Sequence, residues 1–280
     1  MCHKKIDMKM LEDHRKFHFN LKNPKFITQG ALATQDTVSR WYMMYKLSLG
    51  VYFLSTFGVY SYLHGFVKND IGLTMIYLTH WCHKLLTVSF TFNTALVVIR
   101  FIQENRKKRT EDTFFEENCF TLKLSWIMSS AANNLAIAVT IVYWGALFDP
   151  KEERATLEEF ENYDVHLIQT VITLMDVVIS ARPWRLFHAI YPFIYALTYL
   201  GFNVIYTVVL GGKNAKGEDF VYPILDWRNV PITAGLWVVV FIILIFMSQI
   251  FLCTFAYIRD KVFEYWMKKF RYDIEMENIA

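Results

Sequence analysis

Of the 280 residues, 54% are hydrophobic and 17% aromatic, and the mean hydropathy is positive. Several unbroken apolar runs approach the ~20 residues that cross a ~30 Å hydrocarbon core, so the class is an all-α polytopic membrane bundle. The runs do not alternate, which excludes a membrane β-barrel. The net charge of +3 says little by itself, and the chain has no phosphate loop, nucleotide fingerprint or nucleic-acid module.

Residues 1–42 form a basic arm with Lys4, Lys5, Lys9, Arg15, Lys16, Lys22, Lys25 and Arg40. It has no apolar core, so no cleavable signal peptide is expected. Such an arm suits water or an anionic inner leaflet. The transmembrane domain, 43–258, reads as six spans. The first, 43–63, carries Lys46 near one end, where it can snorkel. The second, 72–102, gathers Thr79, His80, His83, Thr87, Thr91 and Thr94 on about a third of its surface, with Lys84 alongside. A basic-then-acidic loop, 106–117, leads to the third, 122–148. Ser125, Ser129, Asn133 and Thr140 line one face there, beside Ser130 and Asn134. Asp149-Pro150 ends it, and 151–162 reads as an acidic loop or short surface helix.

The fourth span, 165–181, holds His166, Gln169, Thr170, Thr173 and Asp176. At about 100° per residue they share an arc of about 120°. Polar groups are costly in hydrocarbon, so the stripe must face protein or a wet cavity. After the turn Arg182-Pro183-Trp184-Arg185 comes the fifth span, 186–210. An aromatic loop, 211–231, follows, suited to interactions through Tyr222 to Trp227. The sixth span, 232–257, has no ionisable residue and reads as lipid-facing scaffold. The tail, 259–280, mixes Lys and Arg with aromatic residues, a composition of the membrane interface.

Lys and Arg fall 21 to one side and six to the other, which places both termini in the cytoplasm. Lys84 and Asp176 each lie about thirteen residues into a span, near mid-membrane, and are expected to pair. None of Cys2, Cys82, Cys119 and Cys253 has a partner on a shared outer loop, so no disulfide is expected. Cys119 stands where reversible palmitoylation occurs, although an unmodified thiol is the expectation.

Trp41-Tyr42, Tyr77-Leu78-Thr79-His80-Trp81, Thr140-Ile141-Val142-Tyr143-Trp144, His166 with Asp176, Pro183 with His188, Tyr191-Pro192, Gly211-Gly212 and Tyr222-Pro223-Ile224-Leu225-Asp226-Trp227 together resemble the Rolling stone family. These are multi-pass membrane proteins whose founding member is associated with myoblast fusion. The family is distantly similar to androgen-induced and androgen-dependent transmembrane hydrolases, which split fatty acid esters of hydroxy fatty acids with a membrane threonine and histidine. The resemblance implies Thr79 as nucleophile and His166 as base. Cys82 stands where the family has glycine, and Gln169 where it has asparagine.

A threonine hydroxyl needs a neighbouring base to become a nucleophile, and histidine is the commonest one. His80 and His83 compete for that role. Asn133 and Asn134 are candidate oxyanion donors. Lys84, Gln169 and Asp176 complete a supporting polar set. The expected partners are membrane lipids and a lipid ester substrate, with no nucleic acid and no cofactor. The protein partners stay open. One alternative is a non-enzymatic membrane component in adhesion, fusion or membrane organisation. Another is a haem or metal protein using His80, His83, His166 and His188, although the residues form no dense ligand motif.

Overall fold

The computed structural model describes residues 24–31, 37–105, 119–151 and 155–277, with side chains up to Lys269. The basic loop 106–109 and most of the N-terminal arm lie outside the described residues. Helix α1 (Arg40–Tyr62) starts at Ser39, whose hydroxyl accepts the Tyr42 N–H at 3.3 Å, as an N-cap should. One short turn, α2 (Ile71–Thr74), precedes α3 (Leu78–Asn105) and α4 (Cys119–Val142). Next come α5 (Thr156–Tyr163), α6 (Gln169–Ile179), α7 (Ile190–Val204) and α8 (Pro231–Glu277). No strand occurs among the described residues.

Four wider turns of π geometry interrupt or end these helices: Leu63–Val67 after α1, Tyr143–Leu147 after α4, Asp164–Ile168 between α5 and α6, and Ile205–Val209 after α7. All four sit at the same end of the bundle. Such turns insert one residue into a helix and concentrate at functional sites.

Among the described residues, four helices are long and apolar enough to cross a membrane: Leu78–Asn105, Cys119–Leu147, Leu186–Val209 and Pro231–Lys269. Helix α8 leaves Ile232, Leu236, Val239, Ile243 and Met247 more than half exposed. A continuous apolar face of that size is stable only against lipid or another protein.

The polar stripes fasten helix to helix. Ser125 and Ser129 on α4 meet Ser89 and Asn93 on α3, at 2.8–3.0 Å. Thr140 and Thr170 pair at 2.7 Å, joining α4 to α6. Helices α1 and α3 approach closely at Gly50, where an added Cβ would lie 2.8 Å from the Thr94 hydroxyl oxygen. That hydroxyl donates to the Lys46 carbonyl at 2.7 Å. Small residues and hydroxyls at helix contacts supply the attraction that lipid cannot.

The structure departs from the sequence reading at several points. The second span begins at Leu78, six residues later than expected, because a turn at 75–77 separates it from α2. The acidic segment takes the helical one of its two expected forms, Thr156–Tyr163, but is not confined to the surface, since Glu161 is buried. Part of the basic arm packs into the bundle. Ile27 is fully buried beside Leu96, Leu122 and Trp126, and Gly30 bridges to Ser180. Helix α8 runs on unbroken into the tail, whose Arg259 is buried, donating to the Val177 and Ser180 carbonyls.

Candidate functional site

The two ends of the bundle bury different chemistry. At the end where α1 begins and α6 finishes, Asp176 is 2% exposed and fully engaged. Lys46 donates to its Oδ1 at 2.5 Å, Ser180 at 2.9 Å and Tyr45 at 3.2 Å, while Arg182 lies 3.7 Å from Oδ2. The expected Lys84–Asp176 pair does not form. Lys84 is directed to Met75 Sδ on the bundle's rim. Lys46, expected to snorkel, is fully buried instead. The physical reason is position: Asp176 sits one turn before the end of α6, level with the start of α1.

At the opposite end, α3, α4, α7, α8 and the 222–225 segment surround an apolar cavity. Leu78, Val139, Phe193, Leu197, Trp237 and Phe241 are among its walls, and Thr79 is on the lining. Thr79 meets the hydroxyl of Tyr222, which also accepts the Leu78 N–H at 2.9 Å. Tyr143 lines the cavity too. Its ring covers His166 face to face, with centroids 3.4 Å apart and planes 5° off parallel. His166 itself is not on the lining. The structure therefore puts Thr79 at the cavity, and His166 behind a wall residue of it.

The other expected residues scatter around this end. His83 is buried, 3.4 Å from the Thr56 hydroxyl. Gln169 donates to the Val165 carbonyl of its own helix. Asn134 is not available as an oxyanion donor, because its amide serves the Ile245 carbonyl and Gln249 at 2.9 Å each. Asn133 is buried off the cavity lining. His188 meets Trp126 edge to face, at the Lys46 end, and cannot join the other histidines.

Two features here escaped the sequence reading. The loop expected to serve interactions folds back onto the bundle: Tyr222 reaches Thr79, and Trp227 donates to Asn203 at 2.9 Å. Its turn needs glycine twice. Gly211 has φ +68°, and a Cβ on Gly212 would lie 2.4 Å from the Tyr206 ring. Backbone N–H groups, Asn229 first, hold the Asp226 carboxyl below its ordinary range at the start of α8. The second feature is a cluster outside the cavity. His64 lies between Asp70 at 2.7 Å and Glu161 at 3.1 Å, with His80 beside them. Nearby, Lys68 pairs with Glu158 at 2.6 Å and keeps that carboxyl below its usual pKa.

Fold and site together define a helical membrane protein with a polar residue placed on an apolar cavity. The family profile described as Protein rolling stone matches residues 8–269, and the chain belongs to the Rolling stone family. It is similar to Protein rolling stone of Drosophila melanogaster, 27% identical over 197 residues that cover 70% of each chain. No solved structure matches significantly.

Proposed function

We propose that this protein crosses the membrane six times with both termini cytoplasmic, and that its cavity holds an acyl chain of a lipid ester presented to Thr79. The Lys/Arg asymmetry supports the topology. The two further helical stretches, α1 and 156–179, are each about 35 Å long at 1.5 Å per residue. The observation that carries the functional reading is the Thr79 hydroxyl on an otherwise apolar wall, since such pockets with few placed polar groups bind apolar ligands.

In this reading the Thr79 oxygen attacks the ester carbonyl carbon while His166 accepts its proton. The Tyr222 hydroxyl is the donor to the developing oxyanion. Collapse expels the alcohol, which takes the proton from His166. Water then attacks the acyl-threonine with His166 again as base, and this frees the fatty acid. Substrate must displace the Tyr143 ring to open the path between His166 and Thr79.

The engagement of Thr79 by Tyr222, with His166 held off the lining, favours a second reading. In it the cavity binds lipid without hydrolysis, in a membrane-organising, adhesive or fusion role. The test is hydrolysis of fatty acid esters of hydroxy fatty acids by purified protein, beside mass spectrometry of lipid retained by it. Loss of turnover in Thr79→Ala and His166→Ala at equal folded yield supports the enzyme. Lipid retained by wild type and lost in Ala196→Phe, with no turnover in either, supports the second reading. Turnover unchanged in Thr79→Ala, or a wild type that neither hydrolyses nor retains lipid, overturns both.

A further inference from the structure

We propose that His64, His80 and Glu161 form a binding site for a divalent transition-metal ion of the zinc class. His64 belongs to the turn after α1, His80 to the first turn of α3, and Glu161 to α5. The fold brings one donor atom from each within 4.8 Å of the other two. His64 Nε2 is 3.1 Å from Glu161 Oε2, and His80 Nδ1 is 3.9 Å from Glu161 Oε1. Ligand atoms in a tetrahedral zinc site with bonds of about 2.1 Å are about 3.4 Å apart. Each donor thus needs to move by less than about 1 Å to hold an ion.

A second observation points the same way. His64 Nδ1 is 2.7 Å from Asp70 Oδ1. A carboxylate on one ring nitrogen fixes the tautomer and directs the other nitrogen's lone pair toward a metal. Charge fits as well: Glu161 and Asp70 together bring two negative charges, matched by one divalent ion with neutral imidazoles. Two imidazoles and one carboxylate suit zinc, copper or nickel better than calcium or magnesium, which prefer oxygen. The donor side chains are 9–19% exposed, so an ion can arrive from water, and a water can take the fourth position. None of the three residues lines the apolar cavity, and the proposal stands independently of lipid binding there.

The experiment strips purified full-length protein with a chelator, then titrates Zn²⁺ by calorimetry and Co²⁺ by visible absorption. The expected result is one ion per chain, with a tetrahedral cobalt spectrum. Binding should be abolished in His80→Ala and Glu161→Gln, weakened about 10–100-fold in Asp70→Asn, and unchanged in the exposed control Asp219→Asn. His80→Cys keeps a ligand in place and should add a thiolate-to-cobalt charge-transfer band, a readout that holds even where the alanine variant fails to fold. Wild type that takes up no zinc, binding indifferent to His80 and Glu161, or a His80→Cys protein that binds cobalt without the band would overturn the site.

Discussion

The Asp176 end and the Glu161 end both bury carboxylates among aromatic residues, yet they are finished differently. Asp176 is met by Lys46, Ser180, Tyr45 and Arg182, and Arg182 also donates to Asn93 at 2.7 Å. Cation, anion and hydroxyls close on one another, leaving no coordination position for a ligand. At the Glu161 end, Asp164 is similarly closed by the hydroxyls of Tyr52 and Tyr60. Beside it, however, stand a partly exposed histidine–carboxylate cluster and a cavity. Both ends spend polar groups inside an apolar bundle. At the Glu161 end some of them border space that another molecule can occupy. The difference separates structural polarity from polarity available for binding, a distinction that residue type alone does not make.

The largest expected effect breaks the closed end. Lys46→Met strands a buried carboxylate and should cost about 3–5 kcal/mol, whereas Lys46→Met with Asp176→Leu should cost less than the sum of the single changes. Thermal unfolding of the detergent-purified variants measures both. Lys84→Met should stay within about 0.5 kcal/mol of wild type. A loss as large as that of Lys46→Met would mean the two lysines are not distinguished as the structure has them. Next in size, Gly50→Val forces a side chain against Thr94 and should cost about 1–3 kcal/mol. The same melts would show it, with no change in lipid retention.

At the open end, Tyr222→Phe removes one hydroxyl and should cost about 0.5–1.5 kcal/mol in stability. Its larger consequence should appear in turnover or lipid retention, measured on the same preparations. Equal losses of stability in Tyr222→Phe and Lys46→Met would dissolve the contrast between the ends. The smallest effect concerns Asp226, whose pKa is depressed in the folded chain. Its contribution is present above the unfolded carboxylate value and disappears as pH falls through the folded one. The stability difference between wild type and Asp226→Ala should therefore shrink on acidification, as melts across an acid series would show.

Composition alone made the helical membrane class legible, and the apolar runs pointed to the long helices, although α3 begins six residues late and α8 runs twenty residues past its expected end. The stripe on the fourth span was readable as a buried face, because five polar residues on one arc of an apolar helix are too costly to leave against lipid. Partner choice was not readable. Lys84 and Lys46 are both lysines within apolar runs, and only the relative height of α1, α3 and α6 decides which one reaches Asp176. The site was legible in part. Thr79 and His166 were singled out and both lie at the cavity end, but Tyr222 was assigned to an outward loop. Nothing local shows that 221–225 folds inward. The His64–His80–Glu161 cluster was missed for a similar reason: its members are separated by 16 and 81 positions, with no local spacing to give them away, and Glu161 sits in a segment that reads as surface.

The π-turn at Asp164–Ile168 has a consequence for descent and engineering. It holds one residue more than a regular turn, so loss of a single codon there, at the 40% exposed Leu167 for instance, would let the helix close into uniform α geometry. The helical segment just before the deletion, α5, would swing by about 100° relative to α6. Glu161 would leave His64, while Asp176 and its partners stayed in place. One inserted residue thus works as an index that related chains can advance or withdraw, changing what faces the open end without rebuilding the closed one.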